Sequence, residues 1–394
     1  MNHAYGTPAI SNSCSISDLE RYQAYLVVCA YARDVYAIRA TFAESYASQL
    51  IYSLRQPRYS LVHTAVMVGD TATLCAVVDS LPSDVLNVQD ESGRTPLMYA
   101  ATLGHTSDIQ LLMGANASAS VVDSDGCSAL ILAAQSGRVN AIRALLIDRN
   151  INRYRTSVGL SVIDMQDNQG DTALMHAVRG GHYEATEALL HYGSDVNLAN
   201  KSGERALSVA IASGFLRLVK LLCTNERLDI NAADMRGVTA LMHAATYASK
   251  TYDSSILNFL LKNHADTEAK DVNGDTVVLR EAKSGSGFAI EHLIFGGARW
   301  DTLDVKGCCA ISLAAQHNNI SALTYFLTFA DICVDKKDEK GRTPLFYAIA
   351  GNYEEITYEL IKRGADISLC ALAVNEPLRA LVTRTDNEEL ANFF

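Results

Sequence analysis

Missing from this 394-residue chain is any run of the roughly 20 apolar residues that a bilayer-spanning helix needs, although 49% of its positions are hydrophobic. That apolar content is expected to fill a core. The most apolar early run, Tyr25 to Ala32, follows Asp18 and Glu20 and precedes Arg33-Asp34. A secretory leader instead carries a basic start and a small-residue cleavage site. Basic charge is also scarce: 33 Lys and Arg face 44 Asp and Glu, a net charge of −11. Nucleic acid and anionic lipid are themselves negative, so neither is expected as a partner. The nine cysteines are scattered, odd in number and without a C-x-x-C pair, which argues against a disulfide framework or zinc knuckle. A reducing, cytoplasmic setting is expected, and a nuclear or cytoskeleton-associated one fits the same reading.

Signatures of catalysis are missing too: there is no G-x-S-x-G, Walker loop or H-E-x-x-H. Lys283 to Ile290 (KSGSGFAI) holds a G-x-G, but Ile290 stands where a third glycine belongs, and a nucleotide loop is rejected. Cys308-Cys309 puts one thiol at a helix start, where its pKa can be lowered, yet no other part of a thiol enzyme accompanies it. No catalytic residue, cofactor or metal site is expected.

What the chain does have is a period. On the pattern D-x-x-G-x-T-P-L-x-x-A-A-x-x-G, copies run DESGRTPLMYAATLG from Asp90, DSDGCSALILAAQSG from Asp123 and DNQGDTALMHAVRGG from Asp167; five more start at Asn200, Asp234, Asp271, Asp304 and Asp338. Successive starts lie 33, 44, 33, 34, 37, 33 and 34 residues apart. Asp and Gly suit a tight turn; Thr starts a helix, with Pro96 and Pro344 as first helical residues. Paired alanines allow close helix packing, and a second amphipathic helix follows, as at Ala141, Ile142, Leu145 and Leu146.

These residues resemble ankyrin repeats, about nine of them from Tyr59 to Leu369, and more loosely a protist group of ankyrin-only proteins. The resemblance implies an all-α repeat solenoid of helix-turn-helix-hairpin units with helical caps. The expected organisation is an N-terminal helical cap or docking segment over 1–56, the repeat domain over 57–370 and a C-terminal cap over 371–394. Within the first segment, Ser17 to Glu20 reads as a capping box, and Val35, Ile38, Phe42, Tyr46 and Leu50 recur at helical spacing. Eleven extra residues near 150–160 lengthen one hairpin into a basic, aromatic finger carrying Arg153, Tyr154 and Arg155.

The resemblance further implies binding of a protein partner on a concave face of hairpin tips and first helices, as a non-catalytic scaffold or adaptor. The alternative is a regulatory subunit docking through the N-terminal helices. Residues beside each turn glycine vary between copies while the framework does not. Candidates for partner contact are Glu91, Ser92 and Arg94; Ser124 and Asp125; Asn168, Gln169 and Asp171; Met235 and Arg236; Lys340 and Arg342, together with the finger. Partner identity and oligomeric state stay open. The phrase TALMHA occurs at Thr172 and again at Thr239, but two repeat steps separate His176 from His243 by roughly 20 Å. They cannot share a zinc ion and read as packing variants. Asn87, Asn197 and Asn231, at the hairpin approach, read as turn-bonding residues.

Overall fold

A computed structural model of the chain describes residues 16–43, 60–147, 161–329 and 332–369. Two compact units divide it, Met1–Lys201 and Ser202–Phe394. Among the described residues the regular structure is helical, with β-type pairing limited to isolated bridges Val122 to Ser128 and Gln166 to Thr172.

Sequence dictates where most first helices begin, through a capping hydroxyl. Thr95 accepts the Met98 N–H, Ser128 that of Ile131, Thr172 that of Met175 and Thr343 that of Phe346. These contacts satisfy donors that a helix start leaves orphaned. Most repeat helices span only seven to nine residues, too short to be stable alone, so stacking must hold them. The alanine pairs Ala100-Ala101 and Ala133-Ala134 are fully buried between neighbouring first helices.

In the first unit the first-helix layer is α3 (Leu61–Val68), α5 (Pro96–Leu103), α7 (Ala129–Gln135) and α9 (Ala173–Arg179). Each packs on the next. The second layer, α4 (Thr71–Ser80), α6 (Thr106–Gly114), α8 (Val139–Ile147) and α10 (Tyr183–His191), does likewise. The pair α1 (Ile16–Tyr31) and α2 (Val35–Phe42) continues both layers, α1 on α3 and α2 on α4. Tyr22, Leu26 and Ile38 are buried in that joint. Two expectations change here: α1 already includes Ser17, so the capping box is not a cap, and α2 closes at Ala43. Tyr46 and Leu50, the finger at 150–160 and the segment 371–394 lie outside the described residues.

The second unit repeats the scheme, with first helices α11 (Ala206–Ala212), α13 (Ala240–Thr251), α15 (Val277–Ser284), α17 (Ala310–Gln316) and α19 (Pro344–Ala350). Second helices are α12 (Leu216–Cys223), α14 (Ser255–Lys262), α16 (Gly287–Phe295), α18 (Ile320–Phe326) and α20 (Glu354–Lys362). The small expansion near Tyr247 to Asp253 lengthens α13 to 12 residues and ends it on Tyr252 at φ 59°. That length has a partner. Glu281, 2% exposed, occupies the alanine position of the next repeat, and Ser249 and Thr246 of α13 donate to its carboxylate.

Candidate functional site

Seven of the eight aligned hairpin tips are closed by their own aspartate, Asn200 standing at the other. One carboxylate oxygen of Asp90 accepts the backbone N–H groups of Ser92 at 2.9 Å and Arg94 at 2.8 Å; Asp338 does the same for Lys340 and Arg342, both at 2.8 Å. The two residues after the aspartate therefore point outward whatever their identity. Glu91, Ser92, Ser124, Asp125, Asn168 and Gln169 are exposed in the first unit, and Met235, Arg236 and Lys340 in the second.

Neighbouring tips are stitched through the backbone. Ser124 donates its N–H to Ser92 O at 3.0 Å, Asn168 to Asp125 O at 2.9 Å and Lys201 to Gln169 O at 3.0 Å. In the second unit Val272 donates to Arg236 O at 3.0 Å and Glu339 to Lys306 O at 3.2 Å. The approach leaves no room for a side chain on the turn glycine: a Cβ on Gly170, at φ +83°, would lie 2.7 Å from Lys201 N. A second stitch comes from the hairpin approach. Asn87 accepts the Ser118 N–H at 2.7 Å, Asp164 that of Asp195 at 2.9 Å, Asn231 that of Asp266 at 2.8 Å and Glu268 that of Arg299 at 3.0 Å. Asn87 and Asn231 thus bond across to the next repeat rather than only within their own turn.

Three of the expected contact residues are occupied internally. Arg94 reaches forward to Asp123 at 3.3 Å. Arg342 folds back on Asp338 at 2.7 Å, its guanidinium 4.9 Å from the Tyr347 ring centre. Asp171 is buried, taking Arg179 at 2.6 Å and the Asn200 amide at 2.9 Å. Burial alone would raise the Asp171 carboxyl, but these two donors more than offset it and hold it below its ordinary range. Arg153, Tyr154 and Arg155 fall outside the described residues.

In four repeats the other oxygen of the turn aspartate receives a side chain from nine residues on. Tyr99 donates to Asp90 at 2.7 Å, Tyr347 to Asp338 at 2.7 Å, Arg280 to Asp271 at 2.6 Å, and His176 meets Asp167 at 2.8 Å. His176 is therefore more than a packing variant: it ties its first helix to its hairpin. His243 comes only to 4.0 Å of Asp234, and burial pushes its pKa down. Asp167, Asp171 and His176 bring three ligand-type atoms within 4.8 Å. Those atoms are already committed to one another, to backbone and to Arg179, whose cation sits where a metal ion would have to compete.

The remaining motifs resolve as structure. Ser286 N donates to Ser249 Oγ and Gly287 N to Ser321 Oγ, both at 3.0 Å. Those amides of the G-x-G segment are thus spent on side chains of the preceding and following repeats rather than turned to a phosphate. Cys308 is buried, its thiol pushed up by desolvation, with Tyr347 Oη 3.6 Å away; Cys309 is half-buried against Ser312 Oγ at 3.3 Å.

Comparison with known proteins bears on all of this. The family model for ankyrin repeats matches residues 62–157, 110–200, 193–271 and 278–369. Inversin of Canis lupus familiaris is 30% identical over 203 residues, covering 50% of this chain and 18% of that protein. Rabankyrin-5 of Homo sapiens is 26% identical over 334 residues, covering 82% of this chain and 27% of that protein. The chain thus matches only between 18% and 27% of the length of these relatives. Among solved structures, the ankyrin repeat domain of Bcl-3, described as a member of the IkappaB protein family, superposes with a TM-score of 0.52 at 26% identity, covering 61% of this chain and 98% of that one.

Proposed function

The chain belongs to the ankyrin-repeat family, a fold that mediates protein–protein interaction, and on that premise we propose that it is a non-catalytic scaffold or adaptor. It binds its partner protein on the face made by hairpin tips and first helices. One observation carries the reading: the hairpin turn holds two residues outward in each of the eight aligned copies, and these positions hold Glu, Ser, Asp, Asn, Gln, Met, Val, Arg and Lys. Such a surface can be tailored to a partner without disturbing the repeat beneath it. No cofactor or reaction is assigned. We place the protein in the cytoplasm; no helix among the described residues is long and apolar enough to cross a membrane.

Affinity purification with mass spectrometry tests the reading, comparing the wild type with variants at exposed tip residues of each unit. Partners should be lost on changing one or both sets.

A second reading, a regulatory subunit docking through its N-terminal helices, draws support from the exposure of Val28, Tyr31 and Tyr36 on α1 and α2. Under it, Tyr31→Ser with Tyr36→Ser abolishes partner recovery while the tip variants leave it intact.

A further inference from the structure

The tips of the second unit carry a chemistry of their own. Directly after the turn aspartate stand Met235, Val272 and Val305 in three consecutive repeats, 72%, 69% and 64% exposed. The first unit has Glu91, Ser124, Asn168 and Lys201 at that place. Single exposed apolar residues are ordinary, but three in register form a stripe. The turn does not require them, since Glu339 makes the same stitch to Lys306 O in the following repeat. The next position carries three cations, Arg236, Lys306 and Lys340, and the neutral Asn273, on a chain of net charge −11. Arg236 keeps 77% of its side chain exposed, 3.9 Å from its own Asp234.

We propose that this stripe binds an extended segment of a partner protein with an apolar side chain at every third residue and Asp or Glu between them. The proposal rests on the scaffold reading and adds the chemistry of the partner. Packed helices lie about 8–10 Å apart, so successive tips advance by about the same step. A polyproline-II segment rises about 3.1 Å per residue with three residues per turn, which puts positions i, i+3 and i+6 on one face at a matching interval. Apolar residues there meet Met235, Val272 and Val305, and the carboxylates between them meet Arg236, Lys306 and Lys340. Strand addition is disfavoured because the Val272 and Glu339 amides and the Arg236 and Lys306 carbonyls already pair with each other. A polyproline-II segment needs no hydrogen bond from them.

The experiment is fluorescence anisotropy of the full chain with a labelled peptide of sequence ELDELDELDE. Saturable binding that weakens with added salt is expected, as is binding about tenfold weaker for the combined Met235→Ser, Val272→Ser and Val305→Ser variant. A peptide with lysine at every acidic position should not bind, and Arg236→Glu with Lys306→Glu should abolish binding of the acidic one. These side chains are exposed, so unchanged thermal melting verifies that the variants fold. Absence of saturable binding overturns the proposal, as does undiminished binding by the triple variant or equal binding of a peptide with its leucines contiguous. Partners recovered from cells that depend on first-unit tips and ignore these three residues overturn it while leaving the scaffold reading intact. Recovery unaffected by either set of tips overturns both.

Discussion

Nε2 of His176 stands 2.8 Å from Oδ2 of Asp167, nine residues earlier, in the contact that Tyr99 makes with Asp90 and Tyr347 with Asp338. The ionised carboxylate only accepts, so the imidazole presents its N–H at Nε2. Histidine at this place does the work of a tyrosine hydroxyl, joining hairpin to helix.

His176→Leu should therefore cost about 1–2 kcal/mol, because Asp167 loses its side-chain donor. His176→Tyr should restore most of that loss. Urea unfolding of both variants checks it; equal loss in the two would show that packing alone matters at this position.

The stitch between Asn168 to Gly170 and Lys201 predicts a cost at the turn glycine. Gly170 combines φ +83° with a Cβ position 2.7 Å from Lys201 N, so Gly170→Ala should lose about 1–3 kcal/mol. Gly193 has a similar φ of +89° with nothing within 4 Å of its Cβ position. Gly193→Ala carries the dihedral strain without the clash and should lose less. The difference between the two unfolding curves isolates the contact.

Charge reversal separates arginines that look alike in sequence. Arg94→Glu and Arg342→Glu break pairs with Asp123 and Asp338 and should lose about 1–2 kcal/mol each. Arg236→Glu, at an exposed tip, should stay within about 0.5 kcal/mol of wild type. Binding lost in the first two is confounded with folding, whereas binding lost in the third is not.

Glu281 gives a pH dependence of known sign. Burial pushes its carboxyl above the ordinary 4.5, so between that value and the native one the folded chain holds the proton more tightly. The stability it contributes is full below the ordinary value and falls as pH rises through the native one, with the deficit persisting at neutral pH. Glu281→Gln keeps an acceptor for one of the Ser249 and Thr246 hydroxyls and turns an amide donor to the other oxygen, without the charge. It should raise the urea midpoint at pH 7 and converge with wild type near pH 4; a gain of equal size at both would contradict the burial argument.

How much of this the sequence carried differs by level. The repeat period placed the helix pairs between Leu61 and Lys362 because each turn, cap and alanine pair is a local requirement written into its own copy. The exposed tip positions followed from the same register. Three features needed the third dimension. Arg94 finds Asp123 only across a repeat boundary, and the residue nine after the turn aspartate reads as packing because Leu132, Val209 and Leu313 share the place with His176 and Tyr99. Glu281 is a charge where other copies have alanine, but its donors Thr246 and Ser249 lie on α13 of the preceding repeat.

The central claim is that the tips bind a protein partner, and quantitative affinity purification from cells expressing the chain tests it most directly. Wild type is compared with a variant carrying Glu91→Lys, Asp125→Lys and Gln169→Lys in the first unit and Arg236→Glu and Lys340→Glu in the second. All five side chains are exposed. The account predicts unchanged thermal melting and loss of a reproducible set of partners. Retention of every partner by that folded variant would contradict it.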